Sequence, residues 1–569
     1  MRSLQTVVMR SLIGLALVLV VVAACGPGPT TEPAPAEPTK ETEPAPAEPT
    51  KETEPAPTEP AKEEVVLSLG LDPQNLDPLE EGGGGGLEVN IENNMFDTLL
   101  RRDDDMNVIP WVAESWEALD ETTWEFKIRE GIKFHNGEEL DAEAVKYTWD
   151  VLRRDDPEIN RVLQSWYKPV ERVEVVDKYT VQFITSEPYP VLTAYMTSRP
   201  MIVPPEYYEE TWRAGGRDDF SLQPIGSGPY RFVEFVPDDH LTLEAFEDYW
   251  RGEPAIPRVT YRPIAEAGTM LAEFLTGGLD LIINVAPEHI PEIEAQRGVI
   301  DSTPSVQVLY AMLRTDRIPE RKVRQALFYA ADVDTMIESI LGGYAVKLKY
   351  GAAVTPEEFG YDPSIEPYPY DPEKARELLA DVGWEDTDGD GVRERDGDEL
   401  ELSMVTSTGR NPRQGEIAQS LAAYWEDVGI RVNLRLAEYS TWREEFISRG
   451  FDEDVWIEST GTRTFDADAR LINMVHSYKT VEEDGYSAGI VSYYWNDEVD
   501  RKIQEARSIV DQEEREKLYH EILAQLHRDA YHMALYQQVD IFAHHECLQG
   551  FSARADKLVW FGDMYWECP

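Results

Sequence analysis

Cysteine is nearly absent. Only Cys25, Cys547 and Cys568 occur in 569 residues, and no pair has CxxC spacing, which excludes zinc ribbons and thioredoxin-like redox motifs. Basic side chains are scarce as well: 53 Lys and Arg face 109 Asp and Glu, a formal charge of -56. Such a surface repels phosphate backbones and anionic headgroups, so no nucleic-acid partner is expected, and the plain reading of the charge is solubility outside the cell. Long apolar runs are missing too; Leu12 to Val22 has the length of a signal-peptide core and is short for a membrane-spanning helix. A lysine-bearing phosphate loop, a nucleophile elbow and HExxH are likewise missing. His527, Arg528 and Asp529 spell the kinase catalytic tripeptide, but no DFG or glycine-rich nucleotide loop accompanies them, so the match reads as coincidence. No catalytic trio emerges, and the chain is not expected to be an enzyme.

What is present begins at the N-terminus. Arg2 and Arg10 precede the apolar run, and Val22, Ala23, Ala24 and Cys25 follow it. This tetrapeptide resembles the bacterial lipobox, which implies signal peptide removal after residue 24 and a diacylglyceryl group on Cys25. Two acyl chains tether a protein stably where one does not. The other reading is a transmembrane anchor with an incidental cysteine. An eleven-residue unit of the type TEPAPAEPTKE then recurs three times, from Thr31 to Glu63. Alternating prolines favour extended polyproline II, and the unit has no large apolar side chains to bury, so residues 25–63 read as a stalk. Of the remaining thiols, Cys547 and Cys568 read either as a disulfide closing a loop of about 20 residues or as two free buried thiols.

The folded part starts at Val65. Val65, Leu67, Leu69 and Leu71 alternate as in a half-buried strand. Trp124, Phe126 and Ile128 alternate, and Ile132 and Phe134 repeat the pattern beyond Gly131, which predicts paired strands. Asp141 is placed to cap a helix carrying Val145, Trp149 and Leu152 on one face. Asp371 and Pro372 open another helix that ends near Gly383. Leu400 to Val405 reads as a strand, Ile417, Leu421, Trp425 and Val428 as a helical face stopped by Gly429, and Val432, Leu434 and Leu436 as a second strand. This βαβ unit makes the class α/β.

Two segments invite a metal reading. DTDGDGV, Asp386 to Val392, has the first half of a calcium loop: Asp386, Asp388 and Asp390 offer carboxylates and Val392 its carbonyl. Gly397 stands where such a loop places its closing glutamate, so closure would fall to Asp396 or Asp398. The alternatives are structural calcium and a solvated turn. His544, His545, Glu546 and Cys547 offer mixed ligands, but strand neighbours point to opposite faces, so a satisfied strand is the simpler reading.

Four blocks in order carry a family resemblance: IPWVAESWEALDETTWEFKIREGIKFHNGEELDAEAVKYTWD from Ile109, IGSGPYRFVEF from Ile225 leading to DYWRGEP, KVRQALFYAAD from Lys322, and YDPEKARELLADVGW from Tyr370. Together they resemble the extracellular solute-binding proteins of family 5, the peptide and nickel receptors of ABC importers, over essentially all of the chain from Val65. The resemblance implies a type II periplasmic-binding fold with two lobes and a hinge. Its expected parts are lobe I at 64–98, an extra subdomain at 99–223, lobe I again at 224–310, lobe II at 311–536 and lobe I at 537–569. The chain would cross near Tyr310 to Arg314 and return near Leu535 to Gln538. The implied function is capture of a peptide or similar small solute between the lobes and delivery to a permease, at the outer side of the membrane through the lipid anchor. A surface sensory or adhesive module with the same fold is the alternative.

In peptide-binding members an aspartate receives the ligand's amino terminus. The corresponding segment here is Trp456 to Met474, and its register places Thr464 at that aspartate, with Glu458 or Asp466 as compensating carboxylates. Arg314, where the family usually shows asparagine, and Arg463 are candidate cations for the cleft. Tyr310, Tyr439 and Trp456 are candidate aromatic walls. Trp116, Trp124, Phe126 and Phe134 are expected to be core anchors.

Overall fold

The computed structural model describes residues 62–80, 86–156, 159–215, 218–296, 298–348, 354–408, 411, 413–447, 452–462, 464–477 and 494–568. Cys25, the stalk up to residue 61 and Arg463 lie outside the described residues. Among the described residues no helix is long and apolar enough to cross a membrane.

Two long strands organise the molecule, Gly298–Leu313 and His532–His545, running antiparallel side by side. Their ladder is continuous from Gly298 opposite His545 to Pro304 opposite Val539, then slips before Val308 pairs with Gln537, and slips again between Leu309 and Tyr310. An irregularity of this kind bends a strand and increases its twist, and Pro304 has no N–H to give to a ladder. Different neighbours attach on either side of the slip. Before it, the sheet continues through Leu281–Ile282, Glu64–Ser68, Arg258–Tyr261, His240–Ala245 and Tyr230–Val236. Beyond it, the sheet continues through Val455–Thr460, Glu401–Thr408 and Arg431–Glu438. The ladder breaks between Pro304 and Val308, ahead of the Tyr310 to Arg314 crossing that the resemblance implies.

Each half builds its own core. The segment Val308 to Leu313 is apolar at every position, which suits a strand covered on both faces. Because successive side chains point to opposite faces, Leu309, Ala311 and Leu313 enter one cluster with Trp425 and Leu535, while Val308, Tyr310 and Met312 enter another with Tyr519 and Tyr531. The βαβ unit lies in this second half: Glu401–Thr408 and Arg431–Glu438 pair in parallel, with the helix Gln414–Asp427 between them in sequence. Gly429 follows that helix with φ +92°, a conformation open to glycine and costly for other residues. The helix Pro372–Ala380 is capped by Asp371, whose carboxylate accepts from the Lys374 amide at 2.9 Å.

The first half carries a four-stranded antiparallel sheet in the order Ala113–Asp120, Thr123–Ile128, Thr180–Thr185, Val170–Asp177. The helix Ala142–Leu152 packs on it, with Asp141 accepting from the Glu143 and Ala144 amides. Its fully buried Trp149 meets Phe183 edge to face at 4.9 Å. Two sequence expectations fail locally. Ile132 and Phe134 are buried but form no strand with Thr123–Ile128; they sit in a tight loop in which the Leu140 amide bonds the Ile132 carbonyl, and Thr123–Ile128 pairs instead with Ala113–Asp120 and Thr180–Thr185. Leu71 is exposed because the strand ends at Ser68. Of the expected anchors, Phe126 and Phe134 are fully buried, whereas Trp116 and Trp124 are half-buried.

Candidate functional site between the two halves

The two halves touch along a seam beside the ladder break. Met106 and Ala555 of the first half, Val306 of the break and Phe465 of the second half form a small apolar cluster. Arg102 donates to the Thr464 carbonyl and lies 4.8 Å from the centre of the Phe465 ring. Phe465 has φ +52°, a left-handed value that is unusual for an aromatic residue and is held here by contacts from both sides. Farther along, the Tyr195 hydroxyl donates to Asp468 Oδ2 at 3.1 Å, Arg507 pairs with Asp468 at 3.0 Å, and the Arg507 guanidinium lies 6.0 Å from the Tyr189 ring centre. Arg413 reaches Glu288 at 3.3 Å. Asp468 is thereby buried between the two halves, 1% exposed.

Behind the seam the second half is braced by buried charge. Arg470 Nε donates to both oxygens of Glu358 at 2.8 and 2.7 Å and its other nitrogens reach the carbonyls of Thr460 and Val306. Burial raises the Glu358 pKa, with Arg470 opposing. Asp466 accepts from Arg515 at 2.9 Å and from the Tyr519 hydroxyl at 3.2 Å, and its pKa is raised by burial against Arg515.

The residues singled out in the sequence do not form one wall. Thr464 stands on the seam, 1% exposed. Glu458 is buried inside the second half, accepting from Ser407 at 3.0 Å and from the Ser459 amide. Tyr310 is buried opposite Glu458 in the ladder and stacks on His532 at 4.2 Å. Trp456 is buried at the far end of the strand Val455–Thr460, which spans about 17 Å. Tyr439 stacks on Trp442 at 6.2 Å. Arg314 pairs with Asp316 at 2.8 Å, next to the Asp454 carbonyl that its amide bonds. Sequence reasoning missed Arg102, Tyr189, Tyr195, Asp468 and Arg507, which come together only through tertiary structure.

His532 carries a pH consequence. Burial, with Arg470 nearby, lowers its pKa from 6.5 to about 3. The unfolded chain therefore binds a proton that the folded chain refuses: stability is complete above about pH 6.5 and falls as pH drops toward 3, by up to about 1.4 kcal/mol per unit for this group. His532→Phe is expected to flatten the pH dependence of the urea midpoint between pH 6 and 4; an unchanged slope would exclude His532 as its source.

Around Asp386, the carboxylates of Asp386, Asp388 and Glu394 approach within 4.8 Å of one another. Glu394 belongs to this group, and Asp396 and Asp398 do not. Asp390 stands apart from the group and accepts from the Val392 amide at 2.8 Å. Among the described residues no second metal-like group occurs. His544 pairs with Asp301 at 3.0 Å and Cys547 is bonded to Cys568.

With this geometry in hand, the family comparison is decisive: the model of the bacterial extracellular solute-binding proteins, family 5, matches residues 107–481. The chain belongs to that family. The family 5 chain is 26% identical over 483 residues to the oligopeptide-binding protein AppA of Bacillus subtilis, covering 84% of this chain and 87% of that one. It is 26% identical over 515 residues to the glutathione-binding protein GsiB of Pectobacterium atrosepticum, covering 88% and 94%. Among solved structures, AppA in complex with a nonapeptide superposes with TM-score 0.71 at 25% identity, covering 89% of this chain and all of that one. NikA of Brucella suis superposes with TM-score 0.76 at 24% identity, covering 89% and 100%, and shares the fold. The fold is that of the type II periplasmic binding proteins, and a family 5 member is a binding protein, not an enzyme.

Proposed function

We propose that this family 5 protein is the receptor of an ABC importer, held outside the membrane by lipid on Cys25, which encloses a peptide or similar small solute in the seam and delivers it unaltered to the permease. The observation that carries the reading is the pair of crossing strands with a slipped ladder, joining two halves that each have a separate core. Such a joint allows hinge closure around a ligand. Its relatives include an oligopeptide-binding and a glutathione-binding protein, which favours a peptide-like guest. Thr464 and Asp468 are the residues we place against it: Thr464 brings no charge to the ligand's amino terminus, and Asp468 supplies a carboxylate four residues on, at the start of the helix Ala467–Met474. Glu458 and Asp466 bond groups of the second half, whereas Asp468 accepts from Tyr195 of the first half across the seam.

Thermal-shift screening of the protein against peptides, oligosaccharides, polyamines and metal chelates tests the reading. A ligand that binds only the folded state at about 100 times its Kd stabilises it by about 2.7 kcal/mol. Peptides are expected to raise the melting temperature, and Asp468→Asn to diminish the rise; a panel in which only sugars act would overturn the peptide assignment.

We also propose that Asp386, Asp388 and Glu394 hold a structural calcium ion, since clustered carboxylate oxygens suit a hard cation. Calcium is expected to raise the melting temperature by a few degrees and Asp386→Asn to remove the effect. Equal melting in calcium and in chelator would dismiss the ion.

A further inference from the structure

Beside the seam, the first half contains a cavity of about 440 Å³ between the hairpin Leu100–Arg102 and Val108–Pro110 and the C-terminal stretch around Trp560. Arg101 lines it while being only 7% exposed. Its guanidinium lies 3.5 Å from the Trp560 ring centre and 4.5 Å from that of Trp111, in the corner where the two rings meet at 76°. Among the described residues no oxygen accepts a hydrogen bond from this guanidinium. Arg102, next along the wall, donates only to the carbonyls of Met106 and Thr464, and its Nε has no partner. Burial lowers the pKa of each to about 10. Arg554, by contrast, is bonded to Asp556 at 2.8 Å and Asp104 at 3.0 Å. The cavity therefore presents two buried guanidinium groups without a bound carboxylate, which is an unfavourable arrangement unless an anion completes it.

The lining also carries carboxylates, Asp103, Asp104, Asp105 and Asp563, and its two other arginines are paired, Arg554 as above and Arg251 with Asp563 at 3.6 Å. Asp104 and Asp105 are exposed at the rim, and a free anion approaching from solvent meets them first. A guest with a carboxylate at one end and a cation at the other satisfies both. We propose that this cavity is a second binding site, for a zwitterionic amino acid whose carboxylate sits on the edge of Arg101 and whose ammonium sits at Asp104 and Asp105. Ring stacking orients the guanidinium and leaves its N–H edge for paired hydrogen bonds to a carboxylate. The volume falls within the usual range for small-molecule sites. Arg102 borders both the cavity and the seam, whereas Arg101, which takes the carboxylate, is held by Trp111 and Trp560 of the first half.

Calorimetric titration of the full chain with L-alanine, acetate and ethylamine tests it. Saturable binding of L-alanine is expected, about tenfold tighter than either half-probe, lost in Arg101→Leu and weakened about tenfold in Arg101→Lys, which retains the charge without the fork. Asp105→Asn, at the exposed rim, is expected to weaken L-alanine and leave acetate no weaker, a readout that does not disturb the buried arginine. Asp468→Asn, which changes the seam carboxylate and none of the residues lining the cavity, is expected to leave L-alanine binding intact. The proposal is overturned by absence of saturable L-alanine binding, by equal binding in Arg101→Leu, by acetate binding as tightly as L-alanine, or by loss in Asp468→Asn.

Discussion

Arg470→Met is expected to destabilise the protein by about 3–5 kcal/mol, because it strands the Glu358 carboxylate in the interior of the second half. Both partners are essentially inaccessible to solvent, at 2% and 0% side-chain exposure. The guanidinium also holds the Val306 carbonyl at the ladder break and the Thr460 carbonyl at the end of the adjoining strand. Its loss therefore frees two acceptors as well as one charge. Glu358, already pushed upward by burial, would lose the cation that opposes the shift and take up a proton. The double variant Arg470→Met, Glu358→Met is expected to recover most of the loss, since replacing a whole buried pair by apolar groups is often near neutral. Urea unfolding followed by tryptophan fluorescence distinguishes the cases through the transition of the second half. Equal midpoints for wild type and Arg470→Met would refute the bracing role.

Opening the Cys547–Cys568 bond is expected to cost about 3 kcal/mol, the loop-closure value for two cysteines 21 residues apart. The enclosed stretch returns to the first half and supplies Leu548, Phe561 and Met564 to its core. It is also tied to Asn90 and Asn94 through the Val559 and Phe561 amides, at 2.8 and 3.0 Å. With the bond intact the unfolded chain cannot separate these ends; once reduced, it can. The urea midpoint of the first half is expected to fall in reductant and in Cys568→Ser alike, with reductant having no further effect on the variant. A midpoint indifferent to reductant would mean that the native contacts alone hold the C-terminal stretch.

Local chemistry made much of this fold readable in advance. Asp141 and Asp371 cap helices because a carboxylate ahead of an apolar-periodic segment satisfies otherwise unpaired amides. The βαβ segment from Glu401 to Glu438 was legible because its period changes from two to 3.6 and back within a short stretch. Ile132 and Phe134 misled for the same reason: two buried side chains spaced by two fit a tight loop as well as a strand. The seam was less legible. Tyr195 and Asp468 are 273 residues apart, and nothing local to either announces the other. Tyr310 and Trp456 are aromatic and near the expected crossing, yet strand alternation turns both into a core. Glu394 was overlooked because the calcium-loop template counts positions along the chain, whereas the hairpin Glu394–Arg395 with Asp398–Glu399 folds it back toward Asp386.

Capture as proposed requires the two halves to move about the slipped ladder and enclose a guest. Small-angle X-ray scattering of the protein with and without the peptide giving the largest thermal shift, followed by mass spectrometry of the released guest, tests this most directly. A smaller radius of gyration on binding, with one peptide per chain recovered at its original mass, is the predicted result. An unchanged radius under saturation, or a guest released with altered mass, would contradict it.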